Sequence, residues 1–140
     1  MNKTMKMKIE KTKKGLPAMW ESGGGYTQTG DAIIIAGPNG EKKTPLYIRR
    51  RGHLACERHA LLLIHEGDII IEAEHHHRDF EVRVWRIDQI LEEEAQLSLL
   101  HEFSWGDWDV EPPENFRAAV EAAMKKATCY HCREPHYVRD

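Results

Sequence analysis

The chain has 140 residues, a mass of 16.2 kDa, a formal charge of −3 and a pI near 6.3. That length fits one domain with enough interior to fold without disulfides. A hydrophobic content of 41% beside 31% charged residues excludes wholesale disorder, and no apolar run approaches the ~18 residues of a membrane span.

The net charge hides two opposite halves. Residues 1–58 carry twelve Lys/Arg against five Asp/Glu, whereas residues 59–140 carry eight against eighteen. A basic half and an acidic half imply different partners. Asn and Gln occur three times each, which with abundant Glu and Lys leans toward a heat-adapted source. The N-terminus is basic with no apolar stretch behind it, so no secretory signal is expected and the chain reads as cytoplasmic.

Residues 1–14 hold six Lys and one Glu and are expected to form a basic flexible arm, with Met5, Met7 and Ile9 able to pin part of it as an edge strand. The glycines of Ser22–Gly30 demand a loop. They lack the Lys-Ser/Thr ending of a phosphate-binding loop, so a bare turn is the expectation. Asp31–Ala36 is a short apolar run and predicts a buried strand. Gly37-Pro-Asn-Gly40 supplies a turn, and Pro45–Arg51 is expected to return as the second strand of a hairpin. His59–His65 and Asp68–Glu74 predict two more strands joined at Glu66-Gly67. Phe80–Ile87 alternates and predicts a two-faced strand, with His75-His-His-Arg-Asp79 as the turn before it. Ile87–Phe103 is ambiguous, because its first half has helical spacing while Gln96–Phe103 reads as a strand. Trp105 and Trp108 sit in a loop and suit a cap on the core.

Pro113–Ala127 is the clearest helix. Its prolines suit a first turn, where amide protons have no partner, and Phe116, Val120, Ala123, Met124 and Ala127 form one apolar stripe. Lys125 and Lys126 lie where the helix dipole favours cations. The expected fold class is α+β: residues 15–140 form a compact antiparallel core of about five to six strands with a C-terminal helix (113–127) and a zinc-knuckle-like tail (128–140).

All three cysteines lie in ligand-like settings. Cys56-Glu-Arg-His59 is a C-x2-H pair and Cys129-Tyr-His-Cys132 a C-x2-C pair. A two-residue spacer lets a tight turn aim both side chains at one ion, so Cys56, His59, Cys129 and Cys132 together match a tetrahedral structural Zn(2+) site. His136 is an alternative to His59. A redox-active C-x2-C usually opens a helix, where the dipole lowers the thiol pKa; this one follows a helix end. The odd cysteine count argues against a disulfide framework.

Arg49-Arg50-Arg51 runs into the first of these pairs, and Arg58 lies inside it. With Lys42 and Lys43 they offer a basic surface for RNA or DNA, and Tyr47 or Trp20 could stack on bases. Alternate strand residues face opposite ways, however, so the three arginines cannot all address one ligand. His53, His59 and His65 with Glu57 or Glu66 could form a catalytic cluster; each histidine is more simply structural. His75–His77 reads as an exposed turn, and Glu92–Glu94 and the Asp107/Asp109 pair as solvated acidic surface. Cys56-x2-His59-x4-Ile64-x-Glu66-Gly67, with Gly24-Gly25 upstream, resembles a segment of the PAAR-type spike-tip proteins. That resemblance implies a short β-cone with a metal near its tip. It covers about a third of the chain, without the family's repeated Gly-x-Pro hairpins, and assigns no residue a role.

The reading that follows is a small intracellular zinc-stabilised binding protein rather than an enzyme. Cys56, His59, Cys129 and Cys132 hold the metal. Arg49, Arg50, Arg51 and Arg58 meet nucleic acid. The alternatives are a metal-dependent hydrolase using the His/Glu cluster and a protein-interaction module using the acidic half.

Overall fold

The computed structural model describes residues 3–21, 32–50, 58–76, 79–104 and 112–127. Its strands form two antiparallel sheets, and one helix closes the described chain. The larger sheet contains β1 (Thr4–Lys8), β4 (Ala32–Ala36), β7 (Ile69–His76), β8 (Asp79–Ile90) and β9 (Glu94–Ser104), in the order β1-β9-β8-β7-β4. The smaller contains β2 (Glu10–Lys11), β3 (Pro17–Glu21), β5 (Tyr47–Arg50) and β6 (Arg58–Leu63), in the order β2-β3-β6-β5. The helix, α1 (Arg117–Ala127), follows a 3-10 turn at Glu114–Phe116.

The apolar runs in the sequence explain the layering. A strand apolar at consecutive positions must be covered on both faces. Ile34, Ile69, Ile71, Val82 and Val84 pack on one side of the large sheet against Phe116, Ala119, Val120, Ala123 and Ala127 of the helical segment. Ile35, Ile70, Trp85, Ile87 and Leu97 pack on the other side against Met19, Ala60, Leu62 and Ile64 of the small-sheet layer. The order is therefore helix, large sheet, small sheet. Ile70, Ile71, Val82, Val84, Leu97 and Val120 are fully enclosed.

That layering overturns the expected β4–β5 hairpin. Beyond β4 the turn at Gly37–Gly40 closes with a single bridge between Ala36 and Lys42. β4 then pairs with β7 in the large sheet, while β5 pairs with β6 in the small one. The physical reason is burial: β4 needs cover on both faces, which only the middle layer provides. The strands joined at Glu66-Gly67 likewise lie in different sheets, with Gly67 at φ 95° in the connection.

Two further expectations are decided. Of the two readings of the basic N-terminal segment, the edge strand holds for Thr4–Lys8: it pairs with β9, and Met5 and Met7 pack on the core while the lysines alternate outward. The ambiguous stretch after Ile87 is strand, tight turn and strand: the Leu91 amide donates to the Glu94 carbonyl at 2.8 Å, and β9 runs the full length of β8. The helical spacing at Ile87, Ile90, Leu91 and Ala95 arises because a β-bulge between Ile87 and Gln89 shifts the alternation by one. The described residues hold nine strands where about five to six were expected. Among them no helix is long and apolar enough to cross a membrane.

Candidate nucleic-acid interface

The small sheet has one face against the core and one facing away. Met19, Ala60 and Leu62 mark the inner face. The register then fixes the outer one. Trp20 pairs with Leu61, and Leu61 pairs with Tyr47, so these three form a row across β3, β6 and β5. The next row along pairs Arg49 with His59. Arg50 pairs with Arg58 at the end of the ladder.

The aromatic row is partly open. Tyr47 is 58% exposed, and Leu61 and Trp20 are half-buried. The Trp20 and Tyr47 rings meet edge to face, with centroids 6.1 Å apart and planes at 84°. That arrangement is attractive because the positive edge of one ring meets the negative face of the other. It braces Tyr47 on an edge strand that would otherwise hold it on one side only.

The basic residues of the same region divide into two groups. Lys43 turns inward: its ammonium donates to the Leu63 carbonyl at 2.5 Å and to the Asp68 carboxylate. It is therefore a structural cation, not part of an open basic surface as the sequence suggested. Lys42 is exposed. Arg49, Arg50 and Arg58 occupy the strand positions given above, and Arg51 lies outside the described residues.

The acidic half of the chain makes its own pairings elsewhere. Arg83 on β8 stands between Glu72 of β7 and Glu102 of β9 in register. Its guanidinium donates to Glu74 at 3.1 Å and lies 3.7–4.0 Å from Glu72, Glu81 and Glu102. The Trp85 indole N–H donates to Glu72 at 2.6 Å, and Lys3 reaches Glu102 at 3.7 Å. These carboxylates are engaged within the sheet.

Cys56, Cys129 and Cys132 lie outside the described residues, as do His53, Glu57, the glycine loop at 22–30, Trp105, Trp108 and His136. Of the four expected zinc ligands only His59 is described, half-buried on β6 opposite Arg49. Among the described residues no group of three or more His, Cys, Asp or Glu is placed to hold a metal ion. His65 is 70% exposed, with Nδ1 3.8 Å from Asp68, and Glu66 accepts the Ile90 amide at 3.4 Å. His75 belongs to β7 rather than to a turn, and its ring tilts over Phe80 at 4.7 Å.

Sequence reasoning named Tyr47, Trp20 and Arg49 but not their alignment. The signal was there in part, since Tyr47 and Arg49 stand two apart on a strand and must share a face. Trp20 joins them only through β6, which no local pattern reveals. No protein-family model, curated protein or solved structure matches the chain.

Proposed function

We propose that the chain binds single-stranded nucleic acid, RNA or DNA, on the outer face of its small sheet. A structural zinc ion held by Cys56, His59, Cys129 and Cys132 would tie the segment after β5 to the end of α1. The observation that carries this reading is the Trp20–Leu61–Tyr47 row with Arg49 in the adjacent row. Every base has a π-face, so braced aromatics accept bases without regard to sequence. Arginine at the flank suits phosphate, because its planar fork matches the oxygens. The role proposed for Arg50, Arg51 and Arg58 is electrostatic: they raise the local positive potential and steer the strand in, which a net charge of −3 would not do alone.

Titration of a labelled single-stranded oligonucleotide at 50 and 200 mM salt tests this. Binding is expected to weaken steeply with salt. Trp20→Ala and Tyr47→Ala should each weaken it by about tenfold, the scale of one stacked base. Absence of binding at 50 mM salt, or full affinity in the double variant, overturns the reading. Elemental analysis of untagged protein tests the metal: about one zinc per chain is expected, lost in Cys129→Ser.

A further inference from the structure

On the inner face of β5 the packing is incomplete. Ile48 pairs with Ala60, a core residue of β6, so it stands on the side of the small sheet that faces the core. It is nevertheless 40% exposed. Ile48 lines a cavity of about 410 Å³ bounded by β4, β5, β6 and α1, within the ~300–1,000 Å³ of small-molecule sites. Apart from Lys126, α1 contributes only Ala118, Ala119 and Ala122 to its wall, and side chains this short leave the gap open. Ala118 and Ala122 are exposed, so the cavity reaches the surface between them.

The charged groups that line the cavity answer one another. The Lys43 ammonium is held by Asp68. Glu21 has the Lys126 ammonium 3.9 Å from one oxygen and feels Lys42 through space. Charge is met with charge, so nothing here calls for an ionic ligand. What remains open is a hydrogen-bond acceptor. One Glu21 oxygen accepts the Ile35 amide at 3.0 Å. The other accepts no hydrogen bond from a described residue, because Lys126 stands beyond hydrogen-bond reach. An uncovered isoleucine and an open carboxylate oxygen therefore line the same cavity.

We infer that this cavity is a binding site for a neutral apolar alcohol, with its hydrocarbon body against Ile35, Ile48 and Ala119 and its hydroxyl donating to the open oxygen of Glu21. The body gains by taking Ile48 out of water. The hydroxyl gains because a hydrogen bond to a carboxylate is stronger than one between neutral groups. A ligand carboxylate would be repelled by Glu21, and a ligand ammonium would crowd the lysines already beside it. The cavity lies on the face of β5 away from the aromatic row, and neither depends on the other.

The probe is octanol, titrated into the full chain without nucleic acid and followed by alanine-methyl NMR. Heptyl methyl ether, of the same size but with no donor, is the first comparator; octanoate and octylammonium are the others. Octanol is expected to bind with a Kd of about 1 mM or tighter, shifting Ala118, Ala119 and Ala122 first. The ether should bind about tenfold more weakly, the scale of one hydrogen bond to a charged group. Both ions should also bind at least about tenfold more weakly than octanol. In Glu21→Met the alcohol and the ether should bind alike. Ala122→Trp, on an exposed helix position, should block octanol while the thermal midpoint stays within a few degrees. No octanol binding, equal binding of the ether by the parent chain, preference for either ion, or full octanol affinity in Ala122→Trp overturns the inference.

Discussion

The Lys43 ammonium is hydrogen-bonded to the Asp68 carboxylate where the chain passes between the two sheets. Asp68 is almost wholly buried, and the same oxygen accepts the His65 amide at 2.8 Å. Lys43 leads from β4 toward β5, and Asp68 leads from β6 into β7, so one ion pair fixes both crossings. Removing one partner of such a pair strands a charge in a poorly solvated place. Lys43→Met should cost about 3 kcal/mol in urea unfolding. Lys43→Met with Asp68→Asn should recover part of that loss, because no bare carboxylate remains. A cost below about 0.5 kcal/mol for the single variant would show the pair to be solvated and dispensable.

Gly40 and Gly15 offer a matched comparison. Both have positive φ, 82° and 81°. A side chain at Gly40 would place its Cβ 1.8 Å from the Asn115 carbonyl oxygen, whereas at Gly15 nothing lies within 4 Å. Gly15→Ala should carry only the backbone cost, about 1 kcal/mol. Gly40→Ala should cost at least about 2 kcal/mol, because the turn must also back away from the start of the helical segment. Equal midpoints in thermal unfolding would mean that the turn and the helix do not press together.

These two relationships mark the limit of what the sequence discloses. The buried runs at Ile33–Ile35 and Ile69–Ile71 and the stripe at Phe116, Val120 and Ala123 were legible, because burial writes itself as local periodicity. Sheet membership was not. Gly37–Gly40 has hairpin chemistry, yet it closes only one bridge, Ala36 to Lys42, and β4 and β5 do not pair, since cover on both faces of β4 outweighs the turn. The bulge near Asp88 disguised a strand as a helix for the same reason: one inserted residue breaks the two-residue period. For the interface, the residue types were legible in Tyr47 and Arg49, but their row with Trp20 is a product of β6 lying between distant segments.

Asp88 lies at that bulge and accepts the Ser98 hydroxyl across the β8–β9 pair, with Arg86 donating to its other oxygen at 2.9 Å. The Ser98 hydrogen bond, with help from Arg86, holds its carboxyl below the usual 3.8. A depressed folded pKa contributes stability that is present above the unfolded value and is lost as pH falls through the folded one. Ser98→Ala should therefore raise the Asp88 pKa toward 3.8, read by carboxyl-carbon NMR. The variant's loss of stability should be full at pH 6 and fade in strong acid. A pKa unchanged by the substitution would assign the shift to Arg86 instead.

Glu21 behaves in the opposite sense. Burial pushes its carboxyl above the usual 4.5, outweighing the Ile35 amide and the pull of Lys126 and Lys42. A raised folded pKa means the folded chain holds a proton that the unfolded chain has released. Its contribution is present below 4.5 and is lost as pH rises through the folded value, so stability should decline across that window. Glu21→Gln keeps an oxygen to accept the Ile35 amide but has no charge to desolvate. It should flatten the decline and leave the neutral-pH midpoint equal to or a few degrees above the parent. Thermal melts from pH 4 to pH 8 measure both. A lower midpoint at pH 7 would mean that attraction to Lys126 and Lys42 exceeds the cost of burying the carboxylate.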